Sequence, residues 1–191
     1  MCGRSQFLKV PEIVEAFGPA RVGDVDERAL ADEAFPGSLV PGLVLHNGER
    51  VVSSFSWAFF DDGTGHNARL ESAPERPAWR EAWASARLVL PLARFVEGRA
   101  WFSARSGTPL AVAGLYSRAP ARRATMLTRP ADQVVAPFHE RMPVILPEDL
   151  VDSWLAGDTV PLARLLGGTP VLEVEPLNRP GPPPPDQLSL L

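Results

Sequence analysis

The chain has 191 residues, of which 45% are hydrophobic and 22% charged, proportions of one globular domain rather than of a disordered or fibrous protein. Its 19 Lys and Arg against 23 Asp and Glu leave a net charge of −4, so any grip on phosphate must come from a local cluster and not from the overall field. The single cysteine excludes internal disulfides, zinc ribbons and CxxC redox pairs.

Gln6 to Gly18 carries apolar residues at Phe7, Leu8, Val10, Ile13, Val14 and Phe17, which predicts a short amphipathic helix with Pro11 near its start and Gly18 at its end. Residues 19–37 are polar and read as a loop. Leu39 to Leu45 and Val51 to Phe60 are β-rich runs, and Asn47-Gly48 between them is a hairpin signal. Asp61 to His66 reads as a turn and Trp79 to Ala86 as a helix. Leu88 to Pro91, Arg94 to Glu97, Ala100 to Ala104, Leu110 to Tyr116 and Ala124 to Thr128 follow as strands punctuated by Gly or Pro. Pro147 to Trp154 and Pro161 to Leu166 read as short helices, the first opening on Glu148 and Asp149 as helix N-termini prefer. Thr169 to Val174 is a last strand. The fold expected is α+β, a strand-rich single domain over residues 1–178 with a barrel-like sheet and peripheral helices. A proline-rich tail follows over 179–191. No apolar run of about 18 residues predicts a membrane helix, and no basic-then-apolar start predicts a secretory signal. A cytoplasmic protein is therefore expected.

The chemistry is concentrated at Met1-Cys2-Gly3-Arg4. Cysteine is small enough to permit removal of the initiator methionine. Cys2 then carries an α-amine and a thiol on adjacent carbons, a 1,2-aminothiol that no internal cysteine can form. The reference pKa values, about 8 for the amine and about 8.5 for the thiol, leave both groups partly deprotonated near neutrality. The amine condenses with an aldehyde to a Schiff base, and the sulfur then closes a five-membered thiazolidine at the high effective molarity of an intramolecular step. Alternatively the thiolate attacks an acyl carbon with the amine as its base.

Two families share such a start. Class II glutamine amidotransferases also carry an Asn-Gly, which His46-Asn47-Gly48 resembles, but their upstream His-x-Arg segment has no counterpart, since no histidine precedes His46. The wider resemblance is to the SRAP (SOS response-associated peptidase) family of abasic-site processing proteins. Asn67-Ala68-Arg69 with Glu71 resembles that family's Asn-Ala-Arg-x-Glu segment. Arg76 to Pro91 is similar to its Phe-x-x-Ala-Trp helix and following strand, and Arg94 to Glu97 to its Gly-Phe-Tyr-Glu. Ala113-Gly114-Leu115-Tyr116 resembles its Ala-Gly-Leu-Trp, and His139 to Leu146 its His-Asp-Arg-Met-Pro block. The matches run in one order along most of the chain.

The resemblance implies a protein of the DNA damage and SOS response that crosslinks itself through Cys2 to the ring-opened aldehyde of an abasic site in single-stranded DNA. It implies peptidase-like, hydrolase or lyase activity, and removal of Met1, including by the protein itself. Glu97 and His139 take the family's acid–base roles and Asn67 the positioning amide. Arg4, Arg69 and Arg141 are candidate phosphate contacts and Trp57 a candidate stacking residue for DNA. No cofactor, metal or membrane is expected, and a monomer is. Taken singly, Glu97 between Arg94 and Arg99 reads equally as an ion-pair partner, His139 as a capping or core histidine, Asn67 as a turn residue beside Gly65, and Trp57 as core. The first third departs from the family: Ser56 and Ala58 flank Trp57 where Arg and Gly are usual, Phe35-Pro36-Gly37 replaces Ala-Pro-Thr, and Glu97-Gly98 replaces Glu-Trp. These departures keep open an amidotransferase-like hydrolase or a non-catalytic single-strand binder.

Overall fold

Whether the chain becomes strand or helix is settled mainly by which faces of each segment are buried. The computed structural model describes residues 2–117 and 121–177, so the proline-rich tail expected at 179–191 lies outside the described residues. In chain order the elements are β1 (Ser5–Phe7), α1 (Val10–Phe17), β2 (Arg21–Val22), β3 (Glu33–Ala34), β4 (Leu39–His46), β5 (Glu49–Ser56), β6 (Asn67–Arg69), α2 (Pro77–Ser85) and β7 (Arg87–Glu97). There follow β8 (Ala100–Ala104), β9 (Leu110–Ser117), β10 (Arg123–Pro130), β11 (Arg141–Pro143), a 3-10 turn (Glu148–Leu150), α3 (Val151–Ala156), α4 (Leu162–Leu166) and β12 (Leu172–Pro176).

The twelve strands share one sheet. Its pairings run in a ring: β4 with β5, β5 with β10, β10 with β9, β9 with β7, and β7 back to β4. One face of this ring carries Val40, Phe55, Trp57, Leu88, Leu90, Leu92, Phe95, Phe102 and Met126. The other carries Leu43, Val52, Val89, Ala113 and Leu127, and receives Ile13 of α1, Trp79 of α2, Trp154 of α3 and Leu165 of α4. Both faces are therefore dry. That is why the sequence shows unbroken apolar runs such as Leu88-Val-Leu-Pro-Leu92 instead of clean alternation.

Asn47 and Gly48 both take positive φ (52° and 79°), so the β4–β5 turn needs residues that tolerate the left-handed region, as the hairpin reading requires. Residues 19–37, read as a loop, contain the two-residue strands β2 and β3, and three further segments differ from the sequence reading. Ser5–Phe7, read as the approach to a helix, is a strand, because β1 is sandwiched between β7 and β3, and the helix starts only at Val10. The segments either side of Pro91 form one strand. Pro91 lacks an N–H, but its carbonyl accepts from the Leu8 N–H at 3.0 Å, and beside it that edge of β7 changes partner from β4 to β1. Arg141–Pro143, within the His139 block, is a short edge strand on β10.

Candidate active site

Three strands and one turn deliver four side chains to a single place. β1 begins three residues after Cys2, and its pairing with the far end of β7 lays Cys2 beside Glu97. β6 runs parallel to β10 with Asn67 opposite Met126. His139 follows a tight turn in which Asp132 Oδ1 accepts from the N–H groups of Val134 and Val135 at 2.9 and 3.1 Å. In that turn the N–H groups of Phe138 and His139 both bond back to the Val135 carbonyl.

Cys2 is fully buried. Its sulfur lies 3.3 Å from Ser5 Oγ, and its carbonyl accepts from Asn67 Nδ2 at 2.6 Å. The Cys2 backbone also hydrogen-bonds the Glu97 carboxylate. Burial, reinforced by the charge of Glu97, pushes the Cys2 thiol up to about 12, so the sulfur holds its proton at neutral pH. Glu97 is only 2% exposed, and burial raises its carboxyl above the ordinary range although His139 and the Cys2 hydrogen bond pull the other way. His139 Nδ1 lies 3.6 Å from Glu97 Oε2 and accepts the Arg141 N–H at 2.9 Å. An Nδ1 that accepts leaves the proton of a neutral ring on Nε2. Asn67 Oδ1 is buried and has no hydrogen-bond partner among the described residues, an acceptor left open inside the site. Ser5 is the neighbour that sequence reasoning missed; a serine three residues from a cysteine carries no signal until β1 places it.

The four residues expected on DNA fare differently. Trp57 is a correction: its ring is fully buried, edge-on to Phe7 at 5.8 Å, and its Nε1 donates to the His66 carbonyl at 2.9 Å, so it is a core aromatic with no face for a base. Arg141 is likewise buried and committed. It grips Glu71 with both terminal nitrogens (2.7 and 2.9 Å), donates to the Thr128 carbonyl at 2.6 Å, and holds the Glu71 carboxyl below its usual value, so it is not a cation available to phosphate. Arg141→Ala is therefore expected to cost about 2 kcal/mol of folding stability, read as a fall in Tm of about 6 °C. An unchanged Tm with weakened DNA binding would reverse this assignment. Arg4 pairs with Glu33 at 2.5 Å and lies 5.0 Å above the Trp101 ring. By strand alternation, Trp101 lies on the face of the β7–β8 hairpin opposite Glu97. Arg69 alone of the three arginines is exposed, and its side chain makes no hydrogen bond or ion pair among the described residues.

Asn47-Gly48 contributes nothing to the hydrogen bonds around Cys2; it is spent on the β4–β5 turn. Among the described residues no three His, Cys, Asp or Glu side chains are grouped to hold a metal, and no helix is long and apolar enough to cross a membrane.

The family model of the SOS response associated peptidase (SRAP) matches residues 1–177. The abasic site processing protein YoqW of Bacillus subtilis (strain 168) is 24% identical over 179 residues, covering 81% of this chain and 80% of that protein. The abasic site processing protein YoaM of the same organism is 25% identical over 179 residues, covering 81% and 79%. Among solved structures, a Bordetella bronchiseptica protein is 21% identical and superposes with a TM-score of 0.75 over 93% of this chain and 100% of its own. A Bacteroides thetaiotaomicron protein is 15% identical, with a TM-score of 0.76 over 91% and 90%. These two likenesses bear on the fold alone.

Proposed function

The chain belongs to the SRAP family, and on that premise we propose that it processes abasic sites by forming a thiazolidine between Cys2 and the ring-opened aldehyde of the lesion in single-stranded DNA. The observation that carries the proposal is the Cys2 backbone nitrogen, hydrogen-bonded to a buried carboxyl of raised pKa. In the full-length chain that nitrogen is an amide and the thiol is covered. Once Met1 is cleaved, the same atom is a primary amine already held by a proton-transfer group.

The steps follow from the groups present. Abasic deoxyribose is mostly a closed hemiacetal, and opening it requires a proton on the ring oxygen, which His139 Nε2–H supplies. The Cys2 amine adds to the aldehyde to give a carbinolamine. Glu97, whose carboxyl burial raises above the ordinary range, gives a proton to the departing hydroxyl, and water leaves to form the protonated Schiff base. The sulfur then bonds to the imine carbon. The Glu97 carboxylate takes up the thiol proton and is restored to the acid, the ring nitrogen keeps the hydrogen it carried in the protonated imine, and the net loss is one water. A thiol pushed up to about 12 is a poor first nucleophile, so the order is amine first and sulfur second. The same property counts against the amidotransferase reading, in which a thiolate must attack first. Asn67 holds the Cys2 carbonyl with its amide nitrogen and offers Oδ1 to a sugar hydroxyl or to the amine.

The test mixes the Met1-free protein with a single-stranded oligonucleotide bearing one abasic site. The expected product is a band that survives denaturation, with a mass equal to both components less one water, and absent when the oligonucleotide is undamaged. Failure to form this adduct, or formation of the same adduct by protein that retains Met1, overturns the proposal. Reversible, salt-sensitive binding without an adduct would instead indicate a non-catalytic single-strand binder.

A further inference from the structure

The β7–β8 hairpin carries a second feature on the same face as Glu97. Alternation along the paired strands puts Phe95, Glu97, Ala100 and Phe102 on one side. Phe95 and Phe102 are buried and stacked at 5.3 Å. Onto Phe102 packs the ring of Phe138, edge to face at 5.3 Å and 82°, while that ring remains 40% exposed. Phe138 immediately precedes His139, whose imidazole meets Glu97. The turn that carries both is pinned by the Asp132 side chain and by two hydrogen bonds to Val135.

Gly98 explains how Phe138 comes to lie there. It takes φ +57°, and a Cβ at that position would sit 2.7 Å from the Phe138 carbonyl oxygen. Any side chain after Glu97 would push the Phe138 turn away from the hairpin. The family pattern has Trp at this position; here a glycine lets a different aromatic close over the hairpin from the other side.

We propose that Phe138 is a stacking platform for a nucleotide base next to the lesion, positioning the DNA over the site without taking part in the chemistry. The proposal rests on the abasic-site reading above. Three properties support it. The ring is rigidly backed, because Phe102 and the pinned turn fix it before DNA arrives. It shows an aromatic surface to solvent at the rim of the Glu97–His139 pair. A base beside an abasic site has lost its stacking neighbour, and an aromatic side chain can replace that neighbour whatever the base.

The experiment measures binding with a stable abasic analogue that lacks the aldehyde, so affinity is read apart from crosslinking. Phe138→Leu keeps an apolar cover on Phe102 but removes the aromatic face. It is expected to weaken binding to the single-stranded analogue by about tenfold, to leave Tm near that of the parent, and to leave the crosslinking rate at saturating DNA within about twofold. Phe138→Trp is expected to restore affinity. Removing the bases that flank the lesion should cost the parent protein the same factor and the Leu variant little more, as a shared contact demands. If the parent crosslinks and Phe138→Leu binds as tightly as the parent, or if the flanking-base and side-chain losses simply add, the stacking role is wrong while the crosslinking reading stands. If the parent forms no adduct with a true abasic site, the reading beneath it has failed.

Discussion

Cys2→Ser, freed of Met1, is expected to keep a Schiff base and lose the stable crosslink. Serine leaves the α-amine in place, next to Glu97 and below the Asn67 amide, so condensation with the aldehyde still proceeds. Borohydride should therefore trap a secondary amine between protein and abasic DNA at a level near that of the parent. Without reductant, the adduct surviving heat should fall to background, because the hydroxyl is a far weaker nucleophile than sulfur toward the imine carbon and the open imine hydrolyses. The buried setting sharpens this contrast. Cys2 has no exposed surface and its sulfur touches Ser5 Oγ at 3.3 Å, so closure is an intramolecular step in a confined space rather than capture by a thiol from solution. Added free cysteine should not rescue the variant inside the complex. A Cys2→Ser protein that still gives a heat-stable adduct without borohydride would show that the product is not a thiazolidine. A variant with neither kind of adduct would place the sulfur, and not the amine, in the first step.

Much of this site is legible in the sequence, because four of its residues sit in short motifs that keep their order. Cys2 is marked by its position, and Asn67, Glu97 and His139 by the residues around them. What the sequence hides is orientation. Trp57 lies in a run of alternating aromatics, Phe55-Ser56-Trp57-Ala58-Phe59, that fits a half-exposed strand; yet both faces of the sheet are covered, and the indole is sealed by Phe7 and the His66 carbonyl. Arg141 reads as a cation in a conserved-looking block until Glu71, seventy positions away, is folded onto it. Arg4 follows Cys2 by two residues but is drawn to Trp101 and Glu33 on the opposite face of the hairpin. Each failure has one cause: the partner that decides an arginine's or a tryptophan's role is distant in sequence. The strand breaks placed at Pro91 fail similarly, because a proline at a change of strand partner loses no ladder bond.

Glu97→Gln is expected to slow crosslinking by about two to four orders of magnitude while making the protein more stable near neutral pH. The two effects share an origin. Glu97 is 2% exposed, and burial raises its carboxyl above the ordinary value. A group whose folded pKa lies above its unfolded value contributes stability that is complete below the unfolded value, about pH 4.3 for Glu, and is lost as pH rises through the folded one. At neutral pH the native protein therefore carries the cost of a buried carboxylate, and glutamine removes that cost while its carbonyl still accepts from the Cys2 nitrogen. Thermal unfolding should give nearly equal Tm values for parent and variant at about pH 4, with the variant pulling ahead as pH rises. Crosslinking shows the other side of the same property. A carboxyl that keeps its proton to higher pH can dehydrate the carbinolamine and then, once ionised, collect the thiol proton; an amide can do neither. The parent rate should fall on the alkaline side as Glu97 loses its proton, and that limb should be missing from the variant's profile. Affinity for a non-reactive abasic analogue should be unchanged, since the carboxyl is buried beneath the Cys2 nitrogen. A variant that crosslinks within about threefold of the parent, or whose Tm drops at pH 7, would mean that Glu97 is held in the site by packing and takes no part in moving protons.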